Sequence, residues 1–343
     1  MTGTTMRAYR MLDWAQQPRA VEVPVPAPGP GQVLVRVAGC GLCRSDLTMR
    51  GLPKVMGERM GWAMPYTLGH EVGGWAAAVG AGVTGVSEGD AVAVVSPTSC
   101  GGCWHCLRGM DNACPNGLAG RGYGRDGGLA DYVLVDQQRA VLRLRSLDPH
   151  HAGPLTDAGA TAYHAVRRAL PRVVPGGTAV VVGAGGLGAF AVQFLRLLTA
   201  ARVVAVDTNE ERLAYARSIG AHDALGDLGA LDRRERVDAV LDFVGTDATI
   251  AAGTAAVRPG GAYGLVGSAG GKLDKGWFGG LPKDGEVYTF QGSTVADAQE
   301  VLGLADAGLI RNEVEPVPFD GVADAYARLA AGALRGRAVV LLD

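Results

Sequence analysis

The sequence lacks any long hydrophobic run. Its most apolar stretches, Ala179–Val182 and Ala189–Leu198, are bounded or interrupted by Gly or polar residues, and none approaches the roughly 20 apolar residues of a membrane span. The amino-terminal stretch Met1–Met11 carries Arg7 and Arg10 but no apolar segment, so no secretory signal is expected. There is no excess of either charge: 32 Lys and Arg against 34 Asp and Glu leave a formal net charge of −2. That balance argues against nucleic acid as the main partner. Lysine is scarce, with only Lys54, Lys272, Lys275 and Lys283, a skew that reads as compositional bias rather than a site. A cytoplasmic protein is expected, in which the six Cys serve metal rather than disulfides.

What is present is a chain of 343 residues with 48% hydrophobic residues and 53 Gly. At roughly 100–200 residues per domain, two domains are expected, and general disorder is excluded. Residues 21–38, VEVPVPAPGPGQVLVRVA, suggest an irregular edge running into a strand from Val33. Short strand-like runs follow at Gly74–Val79, Asp90–Val95, Ala130–Val135 and Val141–Leu144. No long helical period occurs before residue 150, which suggests a barrel-like β domain. From about residue 153 the pattern alternates. Helical spacing spans Asp157–Leu170, Gly188–Leu198 and Asn209–Ile219, and strands are expected at Thr178–Val182, Arg202–Asp207, Val237–Phe243 and Ala262–Val266. Such alternation predicts βαβ units on a parallel sheet. A helix at Val295–Ala307 and a strand at Ala338–Leu342 close the chain.

The loop after Thr178–Val182 reads Gly183-Ala184-Gly185-Gly186-Leu187-Gly188, a G-x-G-x-x-G pattern between a strand and a helix. Gly183 allows a tight turn, Gly185 a close backbone approach to a pyrophosphate, and Gly188 close helix–strand packing. The helix start offers free N–H groups. Asp207 follows 19 residues after Gly188 at the end of the next strand. A carboxylate there suits the hydroxyls of an adenosine ribose and repels a 2′-phosphate, which favours NAD over NADP. Arg212 can approach the same end, and Val266, at the end of a later strand, is counted with the cofactor positions.

Cys100, Cys103, Cys106 and Cys114 have the spacing C-x2-C-x2-C-x7-C. Four thiolates this close can close a tetrahedron around Zn²⁺, a saturated and hence structural site, with an Fe–S centre as the metal alternative. Trp104 and His105 read as packing residues. A second set, Cys43, His70 and Asp157, is scattered, and sequence spacing alone does not bring it together.

Taken in order, PxPGPGQVLVRV, GLCRSD, GHEVGG, the four-Cys lobe, DAGATAYHA, GAGGLG and Arg337 resemble a zinc-dependent medium-chain alcohol dehydrogenase over nearly the whole chain. The similarity is greatest to bacterial secondary-alcohol members whose third catalytic zinc ligand is Asp. The resemblance implies a GroES-like β-barrel catalytic domain, residues 1–154 and 293–343, with a structural zinc lobe at about 96–116. It implies a Rossmann cofactor domain at 155–292. It further implies two Zn²⁺ per chain, one held by Cys43, His70 and Asp157, and NAD(H) as cofactor. Glu71 would lie behind the metal ligands, or bind the metal transiently during water exchange. Asp46 would orient His70, and Ser45 would relay the substrate proton. Arg44 and Arg337 match positions that contact the cofactor pyrophosphate, and Cys40 is read as packing despite the C-x-x-C it makes with Cys43.

Many members carry His five residues after the first ligand, where this chain has Thr48, which puts the simple proton relay in question. The implied reaction interconverts a secondary alcohol and its ketone. Reduction of an unsaturated carbonyl, a sugar or polyol dehydrogenase, a non-catalytic NAD-binding relative and a remote zinc-ribbon nucleic-acid binder are the alternatives. The segment Gly51–Pro65, rich in Met and containing Trp62, and the small Ser96 suggest a roomy apolar pocket. A homodimer or homotetramer is implied, joined at the edges of the cofactor domains.

Overall fold

The computed structural model describes residues 4–231, 237–334 and 336–342. Residues 1–3 of the Met1–Met11 stretch lie outside them. The chain divides into two compact units, Met1–Ala160 with Gly292–Gly308 and Asn312–Asp343, and Thr161–Gln291 with Leu309–Arg311.

The first unit is built on a seven-stranded sheet. Its strands run Val141–Arg143, Ala91–Val94, Glu71–Val79, Val33–Gly41, Arg337–Leu341 and Val314–Pro318, with Tyr132–Val135 paired to the start of Val33–Gly41. A three-stranded sheet of Arg19–Pro24, Thr5–Met11 and Tyr66–Thr67 accompanies it. The sequence pattern gave no sign of Thr5–Met11. The Pro-rich edge resolves into strand Arg19–Pro24 followed by an irregular crossing to Val33. The core is aliphatic and β-branched, including Val33, Val35, Val37, Leu68, Val72, Val92, Leu129 and Val340, as expected for side chains that fit a pleated surface.

The second unit carries a six-stranded sheet in the order Asp223–Leu225, Arg202–Val206, Thr178–Val182, Val237–Asp242, Val257–Leu265 and Glu286–Thr289. Every pairing is parallel. In chain order this is 3-2-1-4-5-6, the doubly wound arrangement of a Rossmann domain, whose ligand crevice opens beyond the carboxyl ends of the strands where the order reverses. Thr178–Val182 is buried throughout, which is why it reads as a continuous apolar run rather than an alternating one.

The first division between the units falls inside helix Ala158–Ala169, not at the expected 154/155. Residues 155–160 belong with the barrel because the preceding segment is pressed onto its strands. A Cβ on Gly39 would lie 2.1 Å from the His150 carbonyl oxygen, and one on Gly73 would lie 2.1 Å from that of Pro149. Glycine at these two positions lets the segment lie directly on the strand pair.

Candidate functional site

Strands Val33–Gly41 and Glu71–Val79 pair antiparallel with Gly41 opposite Glu71. That register brings Cys43, two residues past one strand end, beside His70, one residue before the other. Gly41 has to be glycine, since a Cβ there would sit 2.0 Å from Glu71 Oε2. Asp157 arrives from the segment laid across these strands, between the short helix Gly153–Thr156 and helix Ala158–Ala169. The outcome is a cluster of Cys43, His70, Glu71 and Asp157 whose ligand atoms all lie within 4.8 Å of one another. One thiol, one imidazole and two carboxylates form a donor set suited to Zn²⁺.

The cluster rests on a buried scaffold. Cys43 caps helix Arg44–Arg50, and its backbone N–H donates to Asp46 Oδ2 at 3.0 Å. Tyr326 donates its hydroxyl to the same oxygen at 2.9 Å. The other Asp46 oxygen lies 3.1 Å from His70 Nδ1. The imidazole is thereby turned so that Nε2 faces inward, 3.5 Å from Asp157 Oδ2 and 3.4 Å from Ser45 Oγ. A carboxylate behind a metal-binding His fixes its tautomer and orientation. The ring edge of Tyr123 packs against His70 with centroids 6.2 Å apart.

Burial opposes a charged His70, but the Asp46 charge and hydrogen bonds to Asp157, Asp46 and Cys43 outweigh it and raise the imidazole well above its ordinary range. Burial also opposes the Asp157 carboxylate. His70 more than compensates, with help from Arg337 and Glu71, and Asp157 is held below its ordinary value. Burial dominates for Glu71, whose carboxyl is pushed up to about 7 against the opposing charge of Arg337. Arg337 is itself buried and bonded through Nη2 to Glu71 Oε1. Its guanidinium thereby contacts a member of the four-residue cluster, a contact the sequence did not suggest. Arg44 and Thr48 lie exposed on helix Arg44–Arg50 and take no part in the cluster. Cys40 is fully buried outside the four-residue group.

The four lobe cysteines form a second group, their Sγ atoms also within 4.8 Å of one another. Cys103 Sγ lies 3.5 Å from Cys106 Sγ and 3.8 Å from Cys114 Sγ. The chain bends through short turns at Cys106–Arg108, Asp111–Ala113 and Pro115–Gly117. Hydrogen bonding, first from Asn116, lowers the Cys100 thiol to about 6, while burial pushes Cys114 up to about 12. Trp104 and Leu107 are exposed on the lobe, so Trp104 is not the packed residue expected; its ring carries the Arg108 guanidinium.

In the second unit, Gly183 has a φ of 85° and Gly188 packs so closely that a Cβ would lie 1.9 Å from the Gly183 carbonyl oxygen. Gly185, Gly186 and Leu187 open helix Gly186–Leu198, with Gly185 as its cap. Beside Gly185 a Cβ would meet nothing closer than Arg212 at 3.9 Å, so this backbone is open to a phosphate. Asp207 accepts from the Ala184 and Asn209 N–H groups at 2.8 and 2.9 Å, and Arg212 Nη1 lies 3.7 Å from its carboxylate. Val266 donates its N–H to the Asp242 carbonyl. The buried Asp242 carboxylate, which the sequence did not single out, accepts from the N–H groups of Val244 and Gly245 and from the Tyr263 hydroxyl. It shapes the loop at the carboxyl end of the fourth strand.

Two family models match the chain: the alcohol dehydrogenase GroES-like domain over residues 29–146 and the zinc-binding dehydrogenase over residues 186–307. An NAD-dependent alcohol dehydrogenase of Sulfurisphaera tokodaii is 34% identical over 89% of this chain and 91% of its own. The crystal structure of the alcohol dehydrogenase from Aeropyrum pernix superposes with a TM-score of 0.90 at 32% identity, covering 98% of this chain and 99% of that one. The acetophenone reductase of Geotrichum candidum, solved with NAD, gives a TM-score of 0.89 at 28% identity, covering 100% and 98%. The chain belongs to the zinc-dependent medium-chain alcohol dehydrogenases, oxidoreductases whose members similar to it include NAD-dependent alcohol dehydrogenases.

Proposed function

We propose that this protein interconverts a secondary alcohol and its ketone, with zinc held by Cys43, His70 and Asp157 and with NAD(H) on the glycine loop and Asp207. The observation that carries this reading is the convergence of residues 43, 70, 71 and 157, far apart in sequence, within 4.8 Å. Bound zinc would polarise the substrate oxygen, and NAD would accept the hydride. Asp46 holds His70 with Nε2 turned into the cluster. Ser45, half-buried beside that nitrogen, is placed to hold the substrate's hydroxyl proton. Thr48 is exposed and carries no ring, so the proton passes from Ser45 to water. Glu71, paired with Arg337, balances charge behind the ligands. Asp207 and Arg212 would hold the adenosine ribose of NAD, and Arg44 is assigned to its pyrophosphate.

The substrate is proposed to be sizeable and apolar. Val55 and Met56 are exposed on helix Lys54–Arg59, and one relative is named for acetophenone reduction. Trp62 does not contribute as expected from the sequence. It is buried and donates its indole N–H to the Leu118 carbonyl at 2.8 Å. We also propose a cytoplasmic homo-oligomer, dimer or tetramer, joined at the edge strand Glu286–Thr289. Among the described residues, no helix is long and apolar enough to cross a membrane.

The test is NADH formation by zinc-loaded protein with a panel of primary, secondary, cyclic and aryl alcohols. Turnover of secondary and aryl alcohols that disappears in Asp157→Ala supports the reading. Absence of turnover across the panel, with zinc and NAD bound, refutes it and moves the search to unsaturated carbonyls.

A further inference from the structure

A recess of about 330 Å³ lies in the first unit, where the start of the cysteine lobe meets the strand ends. Its walls include Thr98, Asn116, Arg121, Arg125, Asp136 and Arg139. It holds none of Cys43, His70 and Asp157, and Cys100 of the cysteine lobe forms part of its wall. Arg121 is the unusual member. It is only 5% exposed. Its Nη2 donates to the Val95 carbonyl at 2.7 Å, and its backbone N–H donates to Thr98 Oγ1 at 3.3 Å. Among the described residues no carboxylate stands within ion-pair distance of it. A guanidinium carries five N–H donors, and a desolvated cation left without an anion is costly.

The neighbouring charges are already matched. Arg125 Nη1 lies 3.3 Å from Asp136 Oδ2, and Gln32 Nε2 donates to Asp136 Oδ1 at 3.5 Å. Arg139 is bonded to Asp111. Of the three guanidinium groups lining the recess, Arg121 is therefore the one without a carboxylate partner among the described residues. Burial pulls its guanidinium below its ordinary range, with Tyr123 and Asp136 opposing in part.

We propose that this recess binds a small oxyanion, a phosphate, sulfate or carboxylate group, with Arg121 as the buried cation and Arg125 at its rim. The chemistry is that of a desolvated guanidinium, which binds planar or tetrahedral oxyanions through paired N–H donors.

The test is isothermal titration of inorganic phosphate, and separately of sulfate and acetate, into the zinc-loaded full chain at constant chloride. Saturable one-site binding by at least one of the three is expected, and the order of affinities identifies the source of the group. Arg121→Met should weaken binding at least about tenfold. Arg125→Gln, half-exposed at the rim, should weaken it about threefold or more, because it also frees Asp136. Asp136→Asn should tighten binding. If Arg121→Met does not fold, the opposite responses of the two rim variants decide the matter. No saturable heat with any of the three anions, or affinities unchanged in both rim variants, would overturn the proposal.

Discussion

The two cysteine-bearing clusters are built in opposite ways. The lobe gathers four cysteines from one short stretch, Cys100 to Cys114, with three tight turns. Its surroundings are largely exposed, with Trp104 and Leu107 at the surface. The second cluster gathers Cys43, His70, Glu71 and Asp157 from two strand ends and the segment laid across them. It is surrounded by buried charge: Asp46 and Glu71 are fully buried and Arg337 nearly so. Loops suffice to close a saturated tetrahedron. On the proposed assignment, a three-ligand site that keeps a position for substrate is held open by rigid strands and oriented by buried partners.

The largest effect expected from this contrast is on turnover. Cys43→Ala or Asp157→Ala should lower kcat/KM for a secondary alcohol by about 10³-fold or more. Each should also remove one zinc, read by metal analysis, and leave the melting temperature nearly unchanged. Removal of a support rather than a ligand should cost less. Asp46→Asn keeps the shape but weakens the hold on His70 Nδ1, and should lower zinc affinity or activity by about 10- to 100-fold. Tyr326→Phe should have the same sign and a smaller size.

In the lobe the order reverses. Cys106→Ser should lower the melting temperature by roughly 5–10 °C, while zinc-loaded molecules that remain folded keep their kcat. Asp111→Asn, which removes the carboxylate bonded to Arg139 and to the Val295 N–H, should cost about 1–3 kcal/mol of stability. It should leave kcat unaltered.

The smallest effect is a pH slope in metal-free protein. Glu71 is raised from 4.5 to about 7, so between those values the native state keeps a proton that the unfolded chain releases. Stability therefore falls as pH rises through that window. His70, raised above 6.5, extends the fall to higher pH. Glu71→Gln should remove the lower part of the slope, measured by urea unfolding after chelation. Cys100, lowered from 9.0 to about 6, acts with the opposite sign between those values.

The lobe is legible in the sequence because its geometry is local: ligand spacing and turn glycines lie in one line of text. The glycine loop is legible for the same reason, since strand, loop and helix follow one another. The second cluster was reached only through family resemblance. No periodicity states that Gly41 stands opposite Glu71, or that Pro149–Thr156 lies across two strands. Asp46 was expected behind His70, but two partners from the far end of the chain were missed. Tyr326 reaches Asp46 from 280 residues away, and Arg337, assigned to the cofactor, is bonded to Glu71. Trp62 could be placed at a cleft or in the core with equal economy, and only packing against Tyr66 and Tyr123 places it in the core.

The central claim is that one cluster carries the chemistry and the other the lobe's stability. The most direct test compares Cys43→Ala with Cys106→Ser in zinc content, melting temperature and NADH formation from one secondary alcohol. The account predicts that each loses one zinc, that only Cys43→Ala loses turnover, and that only Cys106→Ser loses several degrees of melting temperature. Full turnover in Cys43→Ala, or loss of turnover in a folded Cys106→Ser that still holds its remaining zinc, would contradict it.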